Sequence, residues 1–244
     1  MLLSYCDDEQ KKQLFEPDDN ARTPCLETVT IGYPECCEWI MSKMNPDQKT
    51  QFMTQKDAEP IKKILKMRLG VNEGNLKIMR ILVESINDTN GYDLGAVFLF
   101  AARNNDITLG KLVLSKAKDE QMKDQIVNKR GNTTRDKDNV ALHECANIEN
   151  LPFLEYLLTI IKDDSHQFVT KNRYHKSALM LAVMNQNVKG IRLIMDKIKK
   201  NIKFKNQMLA MKDLQVEDAM TKALLGPKRR RRQTTKALMS YYGM

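Results

Sequence analysis

The sequence lacks the segments that mark a membrane-spanning or secreted protein. No run of about 18 to 20 apolar residues occurs, since even the apolar segment 151–161 is interrupted by Pro152 and Glu155. The first residues lack the basic and long apolar segments of a secretory signal, and positions 7–9 are all acidic. We therefore expect an intracellular protein, cytoplasmic or nuclear, with no transmembrane segment.

Cysteine and histidine are scarce and scattered. The chain has five cysteines, an odd number, and three histidines. None of them has the Cys-x-x-Cys or His-x-x-x-His spacing of a zinc site, and the adjacent Cys36 and Cys37 do not form a disulfide framework. We expect reduced thiols, no metal site and no cofactor.

Catalytic motifs are absent as well. The sequence contains no Gly-rich phosphate loop, no Gly-x-Ser-x-Gly and no His-Glu-x-x-His. Cys145 follows His143 by two positions, but residues two apart on a helix point to different sides, so they do not form a base and nucleophile pair. We predict that the protein is not an enzyme.

What the chain does contain is charge, and it is unevenly distributed. Apolar residues make up 42%, charged residues 29% and aromatic residues only 6%. This composition predicts a mostly aliphatic core and a large polar surface, as in thin, elongated folds. Residues 1–60 carry 6 basic against 12 acidic side chains, residues 61–200 carry 24 against 16, and residues 201–244 carry 10 against 3. The head is therefore acidic and the tail strongly basic.

The middle of the chain repeats itself. Each copy has a short apolar helix ending at a small pair, a polar turn of about four residues, and a second helix with an apolar face. The small pairs are Gly70-Val71, Ala101-Ala102, Cys145-Ala146 and Ala182-Val183, at intervals of 31, 44 and 37 residues. Small residues at these positions predict close approach of neighbouring helices. The 44-residue interval contains the polar segment 116–138, which we interpret as an extended finger loop.

With these copies the chain resembles the ankyrin-repeat family. The best match is Ala141-Leu142-His143-Glu144-Cys145-Ala146, followed by Asn150-Leu151 and Tyr156-Leu157-Leu158. Repeats of the HEAT or armadillo type are longer and lack the Leu-His-x-Ala-Ala step. The resemblance implies an all-α fold, an ankyrin-type solenoid of stacked helix-turn-helix repeats with helical caps and flexible termini. It also implies that His143 is a structural hydrogen-bonding residue.

The sequence predicts five regions. These are an irregular acidic arm at 1–33, an N-terminal capping helix region at 34–60, divergent ankyrin repeats at 61–200, a C-terminal capping helix at 201–225 and a basic tail at 226–244. In the capping region we expect Trp39 to pack against the chain rather than bind a ligand. Gly226-Pro227 predicts the end of the last capping helix.

The resemblance also locates candidate binding residues, because ankyrin fingers project beside the concave face of the first helices. The corresponding residues here are Tyr92, Asp93, Arg135, Asp136, Asp138, Asn139, Arg173, Tyr174, His175 and Lys176. Tyrosine gives contact area and a hydrogen-bonding tip at little entropic cost. We expect these loops to bind another protein.

The basic tail leaves several interpretations open. Its core is Lys228, Arg229, Arg230, Arg231 and Arg232. Such a run serves as a nuclear import signal, binds nucleic acid or another anion, or is simply solvated. The interpretation we favour for the whole chain is a non-enzymatic interaction scaffold or adaptor. The alternative is a nuclear or nucleic-acid-associated regulator, and a fragment of a larger repeat-bearing effector is a third.

Overall fold

The fold is all-α. The computed structural model describes residues 23–54, 60–66, 72–86, 92–131, 138–146, 151–162, 165–199, 201–211 and 228–242. Within these ranges the chain forms fourteen α-helices, one short 3-10 helix and no strand, which confirms the prediction of an all-α fold. The chain divides into two compact units, residues 1–91 and 92–244, and each is described by itself.

The described residues of the first unit form five helices. They are α1 (Pro24–Ile31), α2 (Pro34–Lys43), α3 (Pro46–Thr54), α4 (Pro60–Lys66) and α5 (Glu73–Glu84). Helix α1 packs on α2 and α4, α2 packs on α5, and α4 packs on α3 and α5. The glycine at position 74 allows α5 to start against the α1–α2 turn, since a Cβ there would lie 2.4 Å from the carbonyl oxygen of Gly32.

Helix α1 lies inside the segment predicted to be an irregular arm, so the prediction is wrong for residues 24–31. Thr23 caps the helix by accepting a hydrogen bond of 3.1 Å from the Leu26 amide, and Pro24 occupies the first helical position. Cys25, Leu26 and Val29 are buried, which gives the helix tertiary support. Trp39 on α2 is 43% exposed, so it packs against the chain only in part.

The second unit contains the other nine described helices. They are α6 (Leu94–Arg103), α7 (Ile107–Ser115), α8 (Glu120–Val127), α9 (Ala141–Ala146), α10 (Pro152–Ile160), α11 (Ala178–Met184), α12 (Val188–Ile198), α13 (Ile202–Ala210) and α14 (Lys228–Tyr242), with the 3-10 helix at His166–Phe168. Asn105 and Gln186 reverse the chain between α6 and α7 and between α11 and α12, both with φ of 56°. Asp106 and Asn187 then cap the second helices.

The helices of the second unit pack in two rows. Helix α9 contacts α6 on one side and α11 on the other, and helix α10 likewise contacts α7 and α12. The small pairs Ala101-Ala102, Cys145-Ala146 and Ala182-Val183 are all buried, as their size predicts. Gly110 on α7 lies so close to the Phe153 ring of α10 that a Cβ would be 2.7 Å from Cε2. Three helix pairs therefore lie side by side in chain order, whereas the first copy of the pattern belongs to the other unit.

Two predicted loops contain helices. The segment 116–138 was expected to be an extended finger, but residues 120–127 form α8, because Asp119 caps the helix and Ile126 and Val127 are buried. The C-terminal segment was expected to be flexible, but residues 228–242 form α14. Helix α14 packs on α12 with Thr234, Ala237 and Leu238 buried, at the i, i+3, i+4 spacing of a helix face.

Part of the predicted C-terminal cap lies outside the described residues. Helix α13 covers 202–210 and packs on α12, with Leu209 and Met211 buried. Residues 212–227, which include the predicted Gly226-Pro227 helix end, are not described. None of the described helices is both long enough and apolar enough to cross a membrane.

Candidate functional site

The loop before α11 has a closed tip. The Asn172 Oδ1 atom accepts hydrogen bonds from the amides of Tyr174, at 2.9 Å, and Lys176, at 3.0 Å. The Asn172 amide donates to the Lys176 carbonyl at 3.0 Å, and His175 adopts φ of 55° to complete the turn. Arg173, Tyr174 and His175 point into solvent, with Tyr174 42% exposed. The tip presents three large polar side chains on a fixed backbone.

Buried polar side chains connect this tip to two helices. The Asn172 side-chain amide donates to Asn139 Oδ1 at 3.0 Å, and Asn139 in turn donates to Glu144 Oε1 at 3.0 Å. The Glu144 carboxylate accepts hydrogen bonds from Arg103 Nη2, at 3.0 Å, and from Arg103 Nε, at 3.1 Å. Such a network is stabilising when its members are satisfied. It fixes the tip relative to α6 and α9.

Asn139 was predicted as a contact residue, and the structure corrects this assignment. The residue is only 8% exposed, and both ends of its side-chain amide are hydrogen-bonded inside the network. A small polar residue in a loop resembles a solvated one in sequence, because the sequence does not show that Asn172, thirty-three positions further on, packs against it. Asn139 supports the surface and does not form it.

His143 lies in the interior of the second unit and is hydrogen-bonded through both ring nitrogens. It is fully buried, its Nε2 lies 3.0 Å from the carbonyl oxygen of Lys176, and its Nδ1 accepts from the Val140 amide at 3.4 Å. Burial lowers the pKa of His143 to about 4, so the ring is neutral near pH 7 and carries its proton on Nε2. Burial also raises the pKa of the Cys145 thiol, which keeps it protonated.

Hydrogen bonds and an ion pair join the neighbouring loops to the tip and to one another. Arg130 Nη2 donates to the Lys171 carbonyl at 2.8 Å, and the Gly131 amide donates to the Asn139 carbonyl at 2.8 Å. Asp138 Oδ2 lies 3.9 Å from Arg173 Nε. The structure thus places residues 129–131, 138–139 and 171–176 next to one another, and we call this surface the loop row.

The Tyr92-Asp93 candidate joins the row at its other side. Lys129 Nζ lies 2.8 Å from Asp93 Oδ2, while Asp93 Oδ1 accepts from the Ala96 amide at 3.0 Å and so caps α6. Asp93 therefore has a structural function that the sequence interpretation missed, and Tyr92 beside it is half-buried. The candidates Arg135 and Asp136 lie outside the described residues.

A groove lies beside the loop row in the second unit, with Arg130 of the loop row in its lining, and sequence reasoning did not predict it. It has a volume of about 1170 Å³ and runs between α8, the 3-10 helix and the C-terminal ends of α7 and α10. Gln167 in its wall is 1% exposed, accepts from the Leu142 amide at 3.1 Å and donates to the Val127 carbonyl at 2.9 Å. The groove follows from α8, which the sequence pattern did not reveal.

The basic run of the tail is the remaining site predicted from the sequence. Residues 228–232 form the start of α14, and their side chains lie outside what the structure describes. Among the described residues, no group of three His, Cys, Asp or Glu side chains converges as a metal ion would require.

Neither a model of a known protein family nor any curated protein matches the chain.

Proposed function

We propose that the chain is a non-enzymatic scaffold of the ankyrin-repeat type that binds another protein through the loop row and the adjoining face of the first helices. The packing of the three helix pairs supports this proposal, because first helices contact first helices and second helices contact second helices. In stacks of helix pairs, the loops that connect one pair to the next emerge along one edge. Here the loops that precede α6, α9 and α11 are joined by direct contacts.

The observation that carries the proposal is the combination of an exposed tip and a buried support. Tyr174 and Arg173 are exposed, while Asn172 beneath them is 5% exposed and holds two amides of the tip. Binding loops that are already ordered lose less entropy on association. Tyrosine and arginine are also the residue types that most often dominate a protein interface. The loop row therefore has the rigidity and the side chains that recognition requires.

The test compares two double variants of the full chain. Arg173→Ala with Tyr174→Ala removes the cation and aromatic ring of the tip. The control, Lys43→Ala with Tyr33→Ala, likewise removes one cation and one aromatic ring from exposed positions of the first unit. We expect each to change the free energy of unfolding by about 0.5 kcal/mol or less. Partners are first captured by the intact chain and identified by mass spectrometry.

The binding measurement then decides. For a partner that binds directly, the tip variant should lose about 2 kcal/mol of affinity, roughly 30-fold, and the control should lose none. Full-strength binding by the tip variant and by a Tyr92→Ala variant would show that the loop row is not the interface. The acidic head or the basic tail would then be the better candidate.

An alternative function, a nuclear or nucleic-acid-associated regulator, has one observation in its favour. Helix α14 is attached to α12 through buried Leu238 and through a hydrogen bond of 3.0 Å from the Tyr241 hydroxyl to Asp196. The five cations therefore begin a helix whose second half is anchored. When such cations bind the phosphates of a nucleic acid, the affinity for the nucleic acid falls steeply as the salt concentration rises. Filter binding of DNA and RNA across a salt series distinguishes this function from protein recognition.

A further inference from the structure

The described residues of the loop row carry an excess of positive charge. The cations are Lys129, Arg130, Lys171, Arg173 and Lys176. The row itself has one carboxylate, Asp138, whose Oδ2 lies 3.9 Å from Arg173 Nε. A second carboxylate, Asp93, adjoins the row and lies 2.8 Å from Lys129 Nζ. Five cations therefore stand against two carboxylates, and the surface is positive before a partner binds.

Arg130 is a cation that the protein holds in position. Its Nη2 donates to the Lys171 carbonyl at 2.8 Å, although the residue is exposed. A guanidinium has several N–H donors in a planar fork that matches a carboxylate. The contact with the carbonyl orients this fork at the surface of the row, so a partner carboxylate meets a group that is already ordered.

The groove beside the loop row adds apolar contact to this charged surface. Arg130 belongs to both surfaces, and the groove is also lined by Val140, Ile161 and the 37% exposed Ile160. The lining of the groove contains three cations and two carboxylates, so it is nearly balanced in charge. The excess of cations is thus on the loop row, and the groove offers apolar side chains next to it.

We propose that the loop row recognises an acidic segment of its protein partner, with carboxylates against Arg130 and Arg173 and an apolar side chain in the adjoining groove. This inference rests on the proposed function and specifies the chemistry of the partner. Charge complementarity of this kind speeds association and rejects wrong partners. A protein segment can place a neutral residue beside Asp138, whereas a nucleic acid carries a charge at every nucleotide.

The experiment selects twelve-residue peptides from a random phage-displayed library on the full chain. We expect the selected peptides to be rich in Asp and Glu and to contain a large apolar residue. The matched probe replaces every Asp and Glu of a selected peptide by Asn and Gln, and it should bind about tenfold more weakly or worse. Raising sodium chloride from about 0.05 to 0.3 M should weaken only the acidic peptide.

Charge-reversed variants then locate the binding surface. Arg130→Glu and Arg173→Glu should each weaken binding of the acidic peptide about tenfold or more. Arg173 is exposed at the tip, so its variant keeps the test valid if Arg130→Glu disturbs the loops. The control is Lys189→Glu, which makes the same change of charge at an exposed position of α12 and should bind as the wild type does. Thermal unfolding of all three variants checks that they fold.

Three results would overturn the inference. They are a selection that yields no acidic peptide, wild-type affinity in both charge-reversed variants of the row, and tighter binding of a twelve-nucleotide single-stranded DNA than of the selected peptide. Each result leaves the proposed function intact if the captured protein partner still loses affinity for the Arg173→Ala, Tyr174→Ala variant. Full-strength binding of that partner to the tip variant contradicts the proposed function instead, whatever the peptides show.

Discussion

His143 donates a hydrogen bond of 3.0 Å from Nε2 to the carbonyl oxygen of Lys176, thirty-three positions further along the chain. The bond joins the first helix of one pair to the loop tip that precedes the next pair. It is formed by a neutral imidazole, since burial lowers the pKa of His143 to about 4. The same residue therefore links the helix rows to the loop row and makes their stability depend on pH.

We predict that acidification destabilises the protein through His143. The unfolded chain binds a proton at about pH 6.5 and the folded protein only at about pH 4, so the stabilisation is complete above pH 6.5 and is lost progressively down to pH 4. The expected loss between pH 7 and pH 5 is about 2 kcal/mol. Urea unfolding at both pH values measures it.

The matched variants for this prediction are His143→Gln and His175→Gln. The first removes the titrating group and should show a smaller decrease in stability between pH 7 and pH 5, by about 2 kcal/mol. The second changes an exposed residue of the tip and should retain the wild-type pH dependence. Equal pH dependence in wild type and His143→Gln would contradict the assignment.

Leu157→Ala tests the packing of α10. The side chain is completely buried, so its truncation should lower the free energy of unfolding by roughly 2 to 5 kcal/mol. Glu155→Ala on the same helix is the control, because Glu155 is exposed and its replacement should cost about 0.5 kcal/mol or less. Chemical denaturation should show a much larger loss in the free energy of unfolding for Leu157→Ala than for Glu155→Ala. Similar losses in the two variants would refute the assigned helix face.

Gly110→Ala tests the contact between α7 and α10. Alanine is the better helix former by about 1 kcal/mol, but its Cβ would lie 2.7 Å from Cε2 of Phe153. That ring packs edge-on against Phe98 and Tyr156, with centroids 5.5 and 5.7 Å away, and has little room to move. We expect a net destabilisation of about 1 to 3 kcal/mol.

A second background isolates the Gly110 contact. In a Phe153→Leu chain the alanine meets a smaller side chain, so the added cost of Gly110→Ala should decrease, and the double-mutant cycle measures the coupling. If Gly110→Ala stabilises the wild-type protein in thermal melts, the two helices are not as close as the structure has them.

The basic run predicts nuclear accumulation. Residues 226–236 fused to a cytosolic reporter should move the reporter into the nucleus, because short runs of Lys and Arg serve as nuclear localisation signals in other proteins. The control fusion replaces residues 228–232 by glutamine and should stay evenly distributed. An even distribution of both fusions in fluorescence images would leave the tail as a solvated or anion-binding segment.

The repeated pattern predicted the local structure of the three pairs well. The small pairs at Ala101-Ala102 and Ala182-Val183 fall near the ends of α6 and α11, because their periodicity reflects burial that is local to each pair. Helices α1 and α8 were missed, since they are eight residues long and their apolar positions are too few to show a period. Their caps, Thr23 and Asp119, were the available signals.

The candidate site was predicted only in part, for a different reason. The exposed residues Arg173 and Tyr174 were found because the pattern locates the loop before α11. The support was not found, because Asn172 and Asn139 lie thirty-three positions apart and their hydrogen bond depends on how two loops pack. Gln167 is another example, with partners at Leu142 and Val127 that no local pattern connects to it.

The side chain of Asn105, in the turn between α6 and α7, caps a helix of the next pair. Helix α10 has no side-chain cap of its own at Leu151, and the Phe153 amide donates instead to Asn105 Oδ1 at 2.8 Å. An earlier pair thus completes the start of a later helix. Shortening the chain from its C-terminal side preserves this cap, whereas removing residues through Asn105 from the N-terminal side leaves the first turn of α10 with an unpaired donor. The two ends of the row are therefore unequal as sites for trimming or for adding further helix pairs.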